Sequence, residues 1–347
     1  MGAPEPFHIG SHRVEPGTRR TVDLPVSVLS DHTPVTMSVQ VLHGARPGPT
    51  MFVSAAVHGD EVIGVEIVRR LLRAPALAGL KGTLLAVPIV NAFGFMNHSR
   101  YLPDRRDLNR SFPGNSSGSL AARLANLFLR EIVLRSNVGI DLHSAAIHRT
   151  NLPQIRVVPG KPRTLALAEA FGAPLILMSA MREGSLRQIA AKQDIDVLLY
   201  EAGEGLRFDE HAVRTGVTGI LRVMRHLGMV SGKQITKPRA NAVRSSSSTW
   251  LRAPAGGLLR TFKTIGEEVA ARDVLGVISD PFGEKETEIV AEAPGLLIGR
   301  TNLPIVNEGD GLFHVATISK TADAKTTIDS LAMQLHADPL FDEDEII

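Results

Sequence analysis

Met51-Phe52-Val53-Ser54-Ala55-Ala56-Val57 is a nearly continuous apolar run, followed through His58-Gly59-Asp60-Glu61 by an amphipathic stretch, Val62–Arg73. A run this short and this apolar reads as a strand buried on both faces, the pattern of a parallel sheet covered by helices. The alternation continues along the chain. Strands are expected at Thr83–Val90, Val138–His143, Ile155–Val158, Leu175–Met178 and Val197–Glu201. Helices are expected at Ser119–Arg135, Arg163–Phe171, Ser185–Lys192 and Phe208–Leu227. Ser119 is placed to cap its helix, ahead of an apolar stripe at Leu120, Leu124, Leu127 and Ile132. Residues 47–240 are therefore expected to form an α/β domain, with a mostly parallel sheet and helices on both faces.

The flanking segments read differently. Residues 1–46 contain extended stretches such as Thr21–Leu29 and Val35–Leu42, expected to pack on that domain. The polar stretch Ser245–Thr249 reads as an interdomain linker. Residues 241–320 hold short β-like runs punctuated by glycine, with a weak repeat: APAGGLL at 253–259 is echoed by APGLL at 293–297. Two such units predict an all-β barrel-sandwich appendage, similar to the lipoyl/biotinyl type. Lys285, in Glu284-Lys285-Glu286, lacks the flanks of a modified lysine and reads as a solvated turn charge. The appendage is expected to restrict a site or build a homo-oligomer rather than carry a cofactor. Residues 321–347 read as an acidic C-terminal tail.

Composition narrows the chemistry. Hydrophobic residues make up 44% and charged residues 21% of 347, which suits a packed soluble protein and excludes general disorder. With no cysteine, a disulfide framework, a thiolate metal site and a cysteine nucleophile are all excluded. Any metal must be held by carboxylates or by some of the 12 histidines. The 38 basic and 36 acidic residues are dispersed, giving a net charge of only +2, and there is one Trp and two Tyr. Nucleic-acid binding, which needs a basic stripe with stacking partners, is not expected. No apolar run approaches ~18 residues, so no membrane partner is expected and the cytoplasm is the expected compartment.

Four motifs carry chemistry. His58 and Glu61 lie three residues apart at a strand end, where both can aim at one point and act as zinc ligands. Gly139-Ile140-Asp141-Leu142-His143-Ser144 is a buried-strand pattern ending in a third candidate ligand. Asp141 shares a strand face with His143 and can brace it from behind. Two histidines and a glutamate leave a fourth position open, the catalytic form of a zinc site. Arg100-Tyr101-Leu102-Pro103-Asp104-Arg105-Arg106-Asp107-Leu108-Asn109-Arg110 packs four arginines into a loop, and Asn109-Arg110 suits a carboxylate clamp. Glu201, in Leu198-Leu199-Tyr200-Glu201-Ala202-Gly203-Glu204, ends an apolar strand as the candidate general base, ahead of Glu204.

His58-Gly59-Asp60-Glu61, Asp107-Leu108-Asn109-Arg110-Ser111-Phe112-Pro113-Gly114, Asp141-Leu142-His143 and Glu201-Ala202-Gly203 occur in the order and approximate spacing of one family. Over Thr50–Leu227 the chain resembles the succinylglutamate desuccinylase/aspartoacylase family, a branch of the zinc carboxypeptidase-like fold. The resemblance implies one Zn2+ held by His58, Glu61 and His143, with Glu201 as base and proton shuttle. It implies that Asn109 and Arg110 hold a substrate carboxylate, that Arg100 polarises the scissile carbonyl, and that Arg187 binds an acyl-side carboxylate. The implied activity is hydrolysis of the amide of a small, carboxylate-bearing N-acyl amino acid. A metallocarboxypeptidase trimming short or γ-linked peptides and a non-catalytic binding relative are the alternatives. Three departures from the family stand out. The interval from Arg100 to Arg110 is longer, which leaves Arg105 and Arg106 open for the carbonyl role. Both tyrosines, Tyr101 and Tyr200, fall in the catalytic domain rather than the C-terminal one. His148-Arg149 follows the metal strand closely, either as substrate contacts or as a surface pair.

Overall fold

Strand Arg46–Ala55 alternates its side chains between two separate cores, which is why its sequence is apolar throughout. Met51, Val53 and Ala55 join one core, with helices α1 (Ile63–Leu71), α4 (Pro162–Phe171) and α6 (Glu210–His226). Phe52 joins the other, with α2 (Ala92–Met96), α3 (Leu120–Glu131), α5 (Leu186–Lys192) and the N-terminal strands Thr18–Val28 and Pro34–His43. A computed structural model describes this architecture for residues 4–232, 235–318 and 322–336. Among the described residues, no helix is long and apolar enough to cross a membrane.

At the centre of the sheet four strands run parallel, in the order Lys81–Val87, Arg46–Ala55, Val138–His143 and Asp196–Gly203. On one side Pro34–His43 and Thr18–Val28 continue it antiparallel. On the other, Arg149–Val157 pairs antiparallel with Asp196–Gly203 and parallel with Leu175–Met178. The sheet is thus mixed: four of the expected strands run parallel at its centre, whereas the expected Ile155–Val158 belongs to a strand antiparallel to its central neighbour, and the N-terminal flank is antiparallel. Ser119 caps α3 through the Ala122 amide, and Ser185 caps α5 through the Gln188 amide.

Two expectations need correction. Ser245–Thr249 is not a free linker: it spans the junction of strands Val243–Ser245 and Ser248–Arg252. The buried Ser245 hydroxyl is shared between the carbonyls of Ser247 and Thr317, which ties the junction down. The expected tail begins with a helix, α7 (Ala322–His336), whose buried Ala324, Leu331 and Leu335 explain why it folds. Residues 321 and 337–347, the rest of that expectation, lie outside the described residues.

The C-terminal β unit holds its own core and a four-stranded antiparallel sheet, yet it is continuous with the main sheet. Strand Gly295–Thr301 pairs with Arg149–Val157, with Gly299 opposite Asn151 and Thr301 opposite Arg149. Strands Gly311–Ala316 and Ser248–Arg252 extend the sheet beyond it. Backbone hydrogen bonds therefore fix this unit beside the C-terminal ends of the central strands.

The strand bearing His143 also sets a packing limit. A Cβ on Gly139 would come within 2.0 Å of the Phe52 ring, which is itself buried and edge-on to Phe128. Gly139→Ala is expected to destabilise the fold by about 1–3 kcal/mol, measured as a lowered urea midpoint at unchanged slope.

Candidate active site

The chain leaves strand Arg46–Ala55 through Ala56, a left-handed residue at φ 49°, before presenting His58. Such a backbone is strained for any residue with a Cβ, and it is held by the Asn91 backbone amide on the Ala56 carbonyl at 2.9 Å. Gly59 then passes against α2: a Cβ there would lie 1.9 Å from the Gly94 carbonyl carbon. Its lack of a side chain serves this backbone crossing.

The turn points His58 and Glu61 inward, and the end of the neighbouring strand brings His143 to the same place. All three residues are buried, and one ligand atom from each lies within 4.8 Å of the others. His58 Nδ1 is 2.7 Å from Glu61 Oε1, and His143 Nδ1 is 2.6 Å from Glu61 Oε2. The opposite nitrogens turn to outer carboxylates: His58 Nε2 to Asp107 at 3.1 Å, and His143 Nε2 to Asp141 at 2.7 Å. Asp141, expected behind His143, is in turn held by the Ser54 hydroxyl at 2.7 Å.

This arrangement has a consequence for charge. A neutral imidazole donates from one nitrogen only, so an Nε2–H given to Asp107 or Asp141 leaves an Nδ1 lone pair facing Glu61. Two lone pairs and a carboxylate then converge, and a cation is needed among them. Either the rings are protonated or a metal ion sits there, and the donor set suits a divalent ion with N and O preferences. Burial lowers the pKa of both histidines, but neighbouring carboxylates outweigh it: Glu61 and Asp107 raise His58, while Asp141 and Glu61 raise His143 well above its usual value. Burial raises Glu61, yet His58 and His143 hold it well below the usual carboxylate range.

The ligand cluster opens into a cleft of about 190 Å³. Arg100, Asn109, Arg110, Arg187 and Glu201, all singled out in the sequence, line it. Arg100 reaches Glu61 Oε1 at 3.2 Å and Asp107 Oδ2 at 3.0 Å, so it is aimed at the ligand cluster. Arg105 and Arg106 are exposed and outside the cleft lining. The Asn109 side-chain oxygen Oδ1 accepts the Leu186 backbone amide at 2.9 Å, leaving its side-chain NH2 for the cleft. Glu201 stands beside His143 in parallel register, and its oxygens meet Asn151 Nδ2 at 3.0 Å and Arg156 Nη1 at 3.2 Å. Glu204 instead accepts the His148 amide and the Asn302 side chain, away from the cleft lining.

Neither tyrosine lines the cleft: Tyr101 is exposed, and the Tyr200 hydroxyl donates to the Ala212 carbonyl in the core. The aromatic wall is Trp250, from the C-terminal β unit. It stacks on His314 at 4.7 Å, with the Arg149 guanidinium 5.1 Å from its ring centre. Of the pair His148-Arg149, only Arg149 lines the cleft. Asn151, Arg156, Arg182 and Trp250 were not singled out in the sequence. Nothing in their local pattern marks them, since each reaches the cleft through long-range pairing or loop placement.

With this geometry in hand, comparison with known proteins is informative. The succinylglutamate desuccinylase/aspartoacylase catalytic domain matches residues 47–227. An N-alpha-acetyl-L-2,4-diaminobutyric acid deacetylase of Halomonas elongata is 28% identical over 283 residues, covering 78% of this chain and 83% of that protein. A succinylglutamate desuccinylase of Burkholderia pseudomallei is 29% identical over 246 residues, covering 65% of this chain and 64% of that protein. The crystal structure of a succinylglutamate desuccinylase/aspartoacylase from Rhodobacter sphaeroides superposes with a TM-score of 0.77 at 26% identity, covering 86% of this chain and 96% of that one.

The raised histidine pKa values give a signed pH prediction. Without metal, the stabilisation from protonated His58 and His143 is complete below the unfolded value of 6.5 and is lost as pH rises through the higher folded values. Metal binding, which competes with those protons, strengthens over the same range. The difference in unfolding temperature between zinc-loaded and chelator-treated protein is expected to widen from pH 6 to pH 9. His58→Ala and His143→Ala are each expected to abolish it.

Proposed function

Since the chain belongs to the succinylglutamate desuccinylase/aspartoacylase family of amide-hydrolysing enzymes, we propose that it is a zinc-dependent deacylase acting on a small N-acyl amino acid. The observation that carries this reading is the convergence of the His58–Glu61–His143 cluster, Glu201 and a cation-rich wall on one cleft. His58, Glu61 and His143 would hold the zinc. When bound there, the ion supplies Lewis acidity and acidifies a water molecule.

The protein's own residues account for the remaining chemistry. Glu201, held on both oxygens, takes a proton from the attacking water and returns it to the amine nitrogen as the C–N bond breaks. Arg100 brings positive charge to the side of the cluster where the carbonyl oxygen becomes anionic. Asn109 and Arg110 take the carboxylate of the amino-acid half, one offering a free amide and the other a guanidinium fork. Asp141 and Asp107 fix the two imidazoles and keep them basic. Trp250 closes the cleft from the C-terminal β unit, with the Arg149 guanidinium of the main sheet over its ring, so that this unit takes part in substrate selection.

Glu201→Gln is nearly isosteric, so fold and metal content should survive while kcat falls by about 10²–10⁴. Near-normal turnover would move the base elsewhere. Esterifying or amidating the substrate carboxylate is expected to cost ~10²-fold or more in kcat/KM, because the clamp then loses its charge-assisted bonds. The comparison is an N-acyl amino acid against its methyl amide. The penalty should largely vanish in Arg110→Ala, where the clamp is already broken.

A further inference from the structure

The ladder beside Glu201 is irregular. Strands Asp196–Gly203 and Arg149–Val157 keep register as far as Glu201 opposite Gln154, then slip, so that Gly203 falls opposite Asn151. The extra residue is on the Arg149–Val157 strand, and Gly203 takes a left-handed φ of 69°. Bulges of this kind re-aim side chains. Here the buried Asn151 reaches the base, with Nδ2 3.0 Å from Glu201 Oε2. On its other side Asn151 stands opposite Gly299, in strand Gly295–Thr301 of the C-terminal β unit. A Cβ on Gly299 would lie 2.8 Å from Asn151 Oδ1, closer than to the Thr150 carbonyl at 3.2 Å or His314 Cβ at 3.4 Å. The missing side chain thus leaves the space in which the amide sits. Asn302, just past that strand, fixes the register of the contact. Its Nδ2 donates to Thr150 Oγ1 at 2.6 Å and to Glu204 Oε2 at 2.9 Å, and its backbone amide donates to the His148 carbonyl at 2.7 Å. One residue of the C-terminal unit thereby ties the start of one strand to the end of the strand that carries the base.

We propose that Asn151 is a positioning residue for the base Glu201, and that Gly299 of the C-terminal β unit sets the place of Asn151 by leaving it room. The terminal torsion of a glutamate is broad, so a carboxylate on a strand end turns freely unless its oxygens are held. Asn151 holds one oxygen and Arg156 the other, which keeps the base within reach of the proton it moves. The C-terminal unit therefore acts on turnover, through the base, as well as on access to the cleft. This assignment rests on the deacylase reading and deepens it. A methyl on Gly299 would meet the far end of a movable side chain, so it should displace the amide while the fold survives.

The test has a structural arm and a kinetic arm. Crystal structures of Asn151→Ala and Gly299→Ala are expected to show the wild-type fold with the Glu201 carboxylate displaced or spread over several positions. In the kinetic arm the substrate is the N-acyl amino acid that the wild type hydrolyses fastest. Both variants should keep their zinc content and lose about 10- to 100-fold in kcat, with KM changed by no more than about 2-fold. The double variant should be no slower than Asn151→Ala alone, because Gly299→Ala acts through the amide that is already gone. Asn151→Asp, nearly isosteric, sets a carboxylate against a carboxylate and should move the acidic limb of the kcat–pH profile to higher pH, with only Arg156 left as counter-charge on Glu201. A residue that merely supported the fold would leave that limb in place. Glu201 unmoved in both structures overturns the proposal, as does normal kcat in Asn151→Ala where Glu201→Gln is inactive; either result leaves the deacylase reading standing. A Gly299→Ala loss of the same size with and without Asn151 would also overturn it. Glu201 displaced in both variants of a protein that hydrolyses no N-acyl amino acid would support the positioning and defeat the deacylase reading.

Discussion

Two imidazole lone pairs and a carboxylate, all buried and all facing one point, require a positive charge among them. Much of the surrounding structure supports that requirement. Asp107 and Asp141 each take the far nitrogen of a ring, so neither histidine can relieve the clash by turning a proton inward without becoming a cation. The left-handed Ala56 and the side-chain-free crossing at Gly59 deliver His58 and Glu61 to the point, and the parallel register of the central strands delivers His143. The rigid frame thus holds a place for positive charge, which protons on the two rings supply without metal and for which a divalent ion would compete.

The same logic extends outward into the cleft. Arg100, Arg110, Arg149, Arg156, Arg182 and Arg187 line it, against the carboxylates of Glu61 and Glu201. In a half-enclosed space this excess of cations favours an anionic ligand and disfavours a cationic one. The C-terminal β unit takes part through backbone pairing: strand Gly295–Thr301 runs against the strand that carries Arg149, Asn151 and Arg156. Trp250 then stands at the cleft wall between His314 and Arg149. A unit that looks like an appendage in sequence is structurally an extension of the catalytic sheet.

The central strands and their helices were legible because burial on both faces leaves little room for polar residues: Met51–Val57 and Val138–His143 advertise themselves. Ligands in short motifs, such as His58 with Glu61 and Asp141 with His143, were legible because the backbone between them is short enough to fix their relation. Arg156, Asn151 and Trp250 were not, because their place depends on antiparallel pairing between segments far apart in the chain. Arg100 could be separated from Arg105 and Arg106 only once the loop's path was known. The Ser245–Thr249 stretch misled because its buried Ser245 hydroxyl bonds to the distant Thr317 carbonyl, so polarity there did not mean solvent. In α7 the apolar residues Ala324, Leu331 and Leu335 were outweighed by the acidic composition that follows them.

The central claim is that His58, Glu61 and His143 form a single metal centre bound through the Nδ1 nitrogens. Anomalous diffraction from crystals of the zinc-loaded protein, recorded on both sides of the zinc absorption edge, tests it most directly. The account predicts one strong peak per chain, about 2.0–2.2 Å from His58 Nδ1, His143 Nδ1 and a Glu61 oxygen, with Asp107 and Asp141 still on the Nε2 atoms. No peak at this cluster, or a zinc ion held through Nε2 with the outer carboxylates displaced, would contradict it.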